Sequence, residues 1–287
     1  MRGGQWQVLR LMEGLRREGV DCTLLSPRGS PLSGEARARG LDVRPLGPWS
    51  AYRLSRQADL VHAHDARTHT LAALLGGAPL VVSRRVAFPI RSRLKYRHAS
   101  HYAAVSQFVR GVLMEGGVPE NKISVVYDGV PIGEPTEHTE AMSETVVAPA
   151  TDDPRKGTEL ALEATRRAGV DLLLSRDLES DLAGAGLFLY LTHSEGLGSA
   201  ILMAMASGVP VIASNIGGIP EIVRHGENGW LAENEPESVA AAIRALLSDR
   251  ALAGKLAAGA RETVAEKFSL EQMTHNTIHL YRRVLSC

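Results

Sequence analysis

Cysteine is nearly absent. Two residues in 287, Cys22 and the terminal Cys287, make neither a disulfide framework nor a metal-ligand spacing, and that scarcity favours a reducing compartment. No apolar run reaches the length of about 18 residues that marks a membrane span, and the first residues carry no signal-peptide core. Aromatics make up only 5% of the chain, which counts against a protein that stacks bases. Charge of one sign is lacking too: 32 basic residues balance 32 acidic ones, so no global field draws in a nucleic acid. The expectation is a cytoplasmic α/β protein with no nucleic-acid partner. The length leaves room for two domains, each with a sufficient core.

What is present concentrates in residues 187–233, LFLYLTHSEGLGSAILMAMASGVPVIASNIGGIPEIVRHGENGWLAE. Residues 187–191 are a short continuous apolar run, which suits a strand covered on both faces. Gly196 and Gly198 follow at once, and 200–206 are good helix formers. Gly208 to Pro210 stop that helix, 211–213 read as the next parallel strand, and Gly217-Gly218 make a second turn with Glu221 opening another helix. Glycines between a strand and a helix let backbone N–H groups approach an anion at the helix N-terminus. Two such turns after adjacent strands describe a ligand crevice at the carboxyl edge of a parallel sheet, suited to a phosphorylated ligand.

This stretch resembles the donor-binding segment of the retaining GT-B glycosyltransferases of family 4. Their pattern runs Ser-x-x-Glu-Gly-Phe-Gly, a helix with a second Glu, Met-Ala-x-Gly-x-Pro-Val, then Gly-Gly-x-Pro-Glu. Glu195 matches the first Glu, Gly196 and Gly198 the first turn, and Gly217, Gly218, Pro220 and Glu221 the second. One position departs: eight residues after Glu195, where the family has its second Glu, stands Met203.

Elsewhere the chain alternates strands and helices, which argues parallel sheets with crossover helices. A helix begins near Gly3-Gly4, with Val8, Leu11, Met12 and Leu15 at helical spacing. The resemblance makes Gly3 and Gly4 the loop after a first strand, facing the donor phosphates and the acceptor. No strand precedes them, so the chain is truncated, its start is misassigned, or the sheet has lost a strand. Strands are expected at 21–25, 41–46, 59–62, 79–83, 102–105 and 123–127. Residues 131–145 are polar and aperiodic and read as a linker. A second domain follows over 146–269, pared down between 175 and 187, and a final helix over 270–287 resembles the family's tail that crosses back to the first domain (1–130). The fold implied is two Rossmann-like domains facing across a cleft.

The resemblance assigns roles. Glu195 would bind hydroxyls of the transferred sugar; the N–H groups around Gly196, Leu197, Gly198 and Ser199 would hold the diphosphate, with the Ser199 hydroxyl assisting or capping. Lys156, at a Lys-Gly turn, would neutralise phosphate charge, with Arg155 the nearest substitute for the family's upstream arginine. The family Glu at position 203 takes the ribose hydroxyls, and a thioether offers no comparable acceptor. His62 and His64, in ADLVHAHD, share one side of an extended chain. They are sugar or phosphate contacts, satisfied structural histidines, or half of a zinc site, for which no further ligands cluster nearby. Arg84, Arg85, Arg91, Arg93, Lys95 and Arg97 crowd a short stretch without an acid, interleaved with Phe88 and Ile90. Residues 84–98 therefore suit an anionic acceptor, an anionic membrane surface at the inner face, or a solvated face.

The implied function is transfer of a sugar from a nucleotide diphosphate-sugar to an acceptor hydroxyl of a glycan or lipid-linked acceptor, with retention and with no metal or other cofactor. Lys156, Arg155 and the helix N-terminus would stabilise the departing diphosphate, with Glu195 and His64 as further catalytic candidates. Met203 and the missing elements motivate a rival, a non-catalytic nucleotide-sugar-binding relative or partner subunit. A nucleotide-sugar epimerase shares the fold and is disfavoured by the second turn and the Lys-Gly turn.

Overall fold

The computed structural model describes residue 1 and residues 3–92, 94–133 and 144–286. Arg93, Cys287 and residues 134–143, which hold most of the expected linker, lie outside the described residues. The chain divides into two compact units, Met1–Gly129 with Leu270–Cys287, and Val130–Ser269. Both are α/β units built on parallel sheets.

The first unit opens with α1 (Gly3–Arg17), β1 (Thr23–Ser26), α2 (Pro31–Ala38), β2 (Asp42–Pro45) and α3 (Pro48–Ser55). It continues with β3 (Val61–Ala63), α4 (Ala66–Leu75), β4 (Leu80–Arg84), β5 (His101–Ala104), α5 (Gln107–Glu115) and β6 (Ile123–Val125). Local chemistry sets the helix starts. Ser30 accepts a bond from Ser33 N with Pro31 opening α2, Asp65 closes a capping box with Thr68, and Ser106 accepts from Val109 N. The helical spacing of α1 is realised, with Val8, Leu11, Met12 and Leu15 all buried.

The sheet is in two pieces. β1 pairs only with β2, and β3-β4-β5-β6 form a separate parallel sheet, so β1 and β3 each have one edge without a strand partner among the described residues. Their side chains reflect it: Leu24, Leu25 and Val61 are only half-buried, unlike the central strands of a parallel sheet covered on both faces.

The second unit contains β7 (Val146–Pro149), α6 (Thr158–Ala168), β8 (Leu172–Ser175), α7 (Leu178–Asp181) and β9 (Leu187–Tyr190). After these come α8 (Ser199–Ala206), β10 (Val211–Ser214), β11 (Trp230–Ala232), α9 (Pro236–Ser248) and α10 (Arg250–Lys267). Its strand order is β11-β10-β9-β7-β8, all parallel. β9 and β10 are buried at every residue, as their unbroken apolar runs require. The chain leaves β7 toward β8 on one side and returns to β9 on the other. The crevice at the carboxyl ends of β7 and β9 is therefore a topological switch point, where open α/β sheets place ligands. Only the short α7 and one 3₁₀ turn separate β8 from β9.

The last helix, α11 (Leu270–Leu285), belongs to the first unit and packs on α1. Gly14 permits the contact, because a Cβ there would lie 2.1 Å from Thr274 Oγ1.

One element differs from expectation. Glu221 does not open a helix; it ends a single 3₁₀ turn, Ile219–Glu221. Asn228 explains this. Its amide donates to the Ile222 carbonyl (3.0 Å) and its carbonyl oxygen accepts from Arg224 N (2.6 Å), which closes a tight loop and sends the chain into β11.

Candidate donor site

In the second unit the site begins where β7 and β9 end. Beyond β7 the chain makes a 3₁₀ turn, Pro154–Lys156, and Gly157 starts α6 with φ +61°. A side chain at Gly157 would be strained and would press within 2.9 Å of Leu191 Cβ. That close approach sets Lys156 against the turn that follows β9. Lys156 Nζ lies 2.5 Å from Glu195 Oε2 and 3.1 Å from Tyr190 OH. Tyr190 OH is in turn 2.5 Å from the same carboxylate oxygen, and Gly196 N donates to the other at 3.0 Å. Burial and then the Glu195 charge raise the Tyr190 phenol well above its ordinary value, so it stays protonated and donates.

Backbone and hydroxyl bonds fasten this edge together. Thr192 Oγ1 lies 3.1 Å from both the Arg155 and Ser194 carbonyls, His193 N donates to the Arg155 carbonyl at 2.8 Å, and Thr192 N donates to Ser214 Oγ at 2.9 Å. Asn234 completes the link by donating to the Thr192 carbonyl (2.9 Å) and accepting from Ser214 Oγ (2.5 Å). The second glycine turn backs the first. At Gly217, φ +60°, a Cβ would fall 2.1 Å from the Glu195 carbonyl oxygen, and Gly218 N bonds that oxygen at 3.3 Å. Gly198, φ +103°, starts α8 without a side-chain cap, leaving the helix N-terminus to backbone groups.

Several sequence-based expectations are revised by these contacts. The Arg155 guanidinium is engaged by Asp153, Nε to Oδ1 at 2.9 Å and Nη2 to Oδ2 at 2.6 Å, rather than turned to a ligand. The Leu197 side chain is core, so only its backbone is suited to a ligand. Ser199 is the first residue of α8 rather than its cap. Met203 is partly buried, where Ile201, Leu202, Ala204, Met205 and Ala206 around it are fully buried.

The histidine pair lies in the first unit. His62 uses both ring nitrogens, on Tyr281 OH (2.6 Å) and Ser83 Oγ (2.8 Å), as the reading of a satisfied structural histidine requires. Its ring lies 4.0 Å from that of His64. His64 Nδ1 is 3.3 Å from Arg85 Nη1, and Arg85 Nε donates to Asp128 Oδ1 at 2.9 Å. Guanidinium has no acceptor, so His64 Nδ1 accepts and Nε2 carries the proton. Burial, then His62 and Arg85, hold His64 well below the usual range; burial and then Arg85 push His62 down to about 3. At neutral pH His64 is an uncharged hydrogen-bond donor and not a general acid. Gly4 lies against this group: a Cβ on it would be 3.9 Å from Arg85 Cδ. Gly3 and Gly4 themselves form the first turn of α1 rather than a loop.

Three of the six cations of the basic run are engaged internally. Arg84 donates to Tyr96 OH (2.6 Å) and to the Phe88 carbonyl, Arg85 pairs with Asp128, and Lys95 Nζ donates to the Ala66 carbonyl at 2.7 Å. Arg91 and Arg97 remain exposed, with Arg93 outside the described residues. No group of three or more His, Cys, Asp or Glu is placed to hold a metal among the described residues. No described helix is long and apolar enough to cross a membrane.

Tyr190, Thr192, Ser214, Asn234 and Asp128 were not singled out from sequence. A hydroxyl closing an otherwise wholly apolar strand is the available signal for Tyr190.

Comparison with known proteins gives the family. Residues 152–263 match the family described as glycosyl transferases group 1, and residues 1–134 match glycosyltransferase family 4. The chain belongs to these glycosyltransferases, and its two units are the Rossmann-like domains of the GT-B fold. It is 39% identical over 105 residues to the N-acetyl-alpha-D-glucosaminyl L-malate synthase of Bacillus anthracis, an alignment covering 36% of this chain and 28% of that protein. With the D-inositol 3-phosphate glycosyltransferase of a Nocardioides species it shares 30% over 169 residues, 57% of this chain and 34% of the relative. The chain thus spans about a third or less of the length of these two relatives. Among solved structures, Anabaena HepE in complex with UDP and glucose superimposes with a TM-score of 0.82 at 18% identity, covering 98% of this chain and 96% of that one. A sucrose-phosphate synthase from Thermosynechococcus elongatus gives 0.81 at 18%, covering 99% and 94%.

Proposed function

We propose that the chain transfers a sugar from a nucleoside diphosphate-sugar to an acceptor hydroxyl, with retention of configuration, in the assembly of a glycan or glycolipid. The observation that carries this is the Lys156–Glu195–Tyr190 cluster, set beside the uncapped N-terminus of α8 at the switch point of the sheet. A cation and backbone N–H groups suit a diphosphate; a carboxylate beside them suits sugar hydroxyls. Support also comes from the relatives' names and from structural neighbours solved with UDP or UDP-glucose.

In this reading Lys156 and the N-terminus of α8 stabilise charge developing on the leaving diphosphate. Glu195 orients the sugar, and the departing phosphate itself takes the acceptor proton. Neutral His64 serves as a hydrogen-bond donor to a substrate hydroxyl. A lipid-linked acceptor at an anionic membrane would rest on Arg91 and Arg97 and the exposed Phe88 and Leu94. The test is a thermal-shift screen of nucleotide-sugars followed by assay of donor hydrolysis and transfer with those that bind. Binding without turnover across a broad donor set would favour the second reading, a non-catalytic relative, which Met203 motivates.

Two substitutions probe the assignment. Lys156→Ala should weaken nucleoside diphosphate binding by roughly 1.5–3 kcal/mol, the range for a hydrogen bond to a charged group; calorimetry showing no loss would remove Lys156 from the phosphates. Met203→Glu restores an acceptor for two ribose hydroxyls at a partly buried helix position that tolerates either residue. Diphosphate binding should tighten by ~1–2 kcal/mol, and deoxyribose analogues should lose most of that gain. An equal gain for the deoxy ligand would show that residue 203 does not face the ribose.

A further inference from the structure

Resting on the donor-site reading above, we infer that Tyr190 is a positioning residue whose hydroxyl keeps the Glu195 carboxylate satisfied and aimed when a diphosphate draws Lys156 away. The geometry has one phenol between a cation and an anion. Tyr190 is the last residue of β9 and only 8% exposed. Its single proton goes to Glu195 Oε2 at 2.5 Å, and its oxygen receives Lys156 Nζ at 3.1 Å.

In the free protein, Lys156 and Glu195 neutralise each other at 2.5 Å, so the two groups assigned to the ligand are occupied by one another. A diphosphate can engage Lys156 fully only by loosening that pair. The Glu195 side chain is 14% exposed, and a carboxylate so placed is costly to leave without partners. Once Lys156 turns toward phosphate, Oε1 keeps the Gly196 N–H at 3.0 Å and Oε2 keeps the Tyr190 hydroxyl. Without that hydroxyl the carboxylate would compete with the ligand for Lys156. Burial holds the phenol protonated, which suits a donor and rules out a base at neutral pH. Tyr190 therefore acts through Glu195 and Lys156 and need not touch the substrate.

A double-variant cycle tests this. UDP, GDP and ADP are titrated by calorimetry into wild type, Tyr190→Phe, Glu195→Ala and the combined variant, with circular dichroism checking that each is folded. For whichever diphosphate binds, Tyr190→Phe should weaken binding about tenfold or more in the wild-type background. The loss should vanish when Glu195 is alanine, because no carboxylate then competes for Lys156. Equal loss in both backgrounds, or none in the first, overturns the inference.

A ligand-free cycle separates it from the donor-site reading. In Tyr190→Phe combined with Lys156→Met, Glu195 loses both side-chain partners, and the melting temperature should fall by more than the sum of the single variants. Additive losses overturn the inference. If no diphosphate binds wild type but the ligand-free cycle is non-additive, the donor-site reading fails while the role of Tyr190 toward Glu195 stands.

Discussion

Glu195→Ala should reduce sugar transfer by about 10²-fold or more, while nucleoside diphosphates bind at least as tightly as to the wild type. The two effects separate because Glu195 is assigned to the sugar and Lys156 to the diphosphate. Glu195 Oε2 holds Lys156 Nζ at 2.5 Å in the free protein, so truncating the carboxylate frees the cation for phosphate. The turn itself should survive. Gly217 and Gly218 pack against the backbone of Glu195, not its side chain, and Thr192 anchors the preceding residues to Ser214 and Arg155. Single-turnover transfer or donor hydrolysis, paired with calorimetry, gives both numbers. A folded variant that loses diphosphate affinity would place Glu195 on the phosphates or make it a prop for Lys156.

Acidification should destabilise the protein before its surface carboxylates titrate. Four histidines of the first unit are held below the ordinary range: His62 to about 3, His69 and His101 each to about 4, and His64 well down. Burial comes first in every case, followed by Arg85 for His62, Lys95 for His69, Arg283 for His101 and His62 for His64. Above about pH 6.5 both the folded and unfolded chains keep these rings neutral, so they contribute no pH dependence. Below it the unfolded chain takes up protons that the folded chain refuses. Stability then falls by about 1.4 kcal/mol per pH unit for each of His62, His69 and His101, down toward their folded values of about 3, 4 and 4, and His64 adds a loss in the same direction. Asp153 and Glu163, lowered to about 2 by their arginine partners, act in the same direction over a more acid window: their contribution is full above the unfolded carboxylate range and is lost as pH falls toward about 2. Denaturant midpoints between pH 7.5 and 4.5 should drop steeply. A flat profile would mean that these rings protonate freely in the folded state.

Much of this arrangement was legible because it is local. Glycines after apolar strands announced both turns of the donor site, and α1 declared itself by the spacing of Val8, Leu11, Met12 and Leu15. Tertiary partners were not. Nothing in ADLVHAHD says that Tyr281, more than two hundred residues on, occupies one nitrogen of His62, or that Ser83 occupies the other. The basic run looked like a charged face because its acceptors, Asp128 and the Ala66 carbonyl, lie elsewhere in the chain. Glu221 followed a turn and preceded apolar residues, which is also how a helix starts; the side-chain bonds of Asn228 decided against it. Tyr190 is hidden in the sequence because a strand of Leu, Phe, Leu and Tyr reads as core, and its ring is core. Only the hydroxyl at the strand end reaches the site.

The central claim is a diphosphate site at the ends of β7 and β9. It is tested most directly by titrating the wild-type chain with UDP, GDP and ADP and, in parallel, with uridine, guanosine and adenosine. If Lys156 and the N-terminus of α8 hold a diphosphate, at least one nucleotide should bind about a hundredfold or more tighter than its nucleoside. Equal affinity for each nucleotide and its nucleoside would contradict the account.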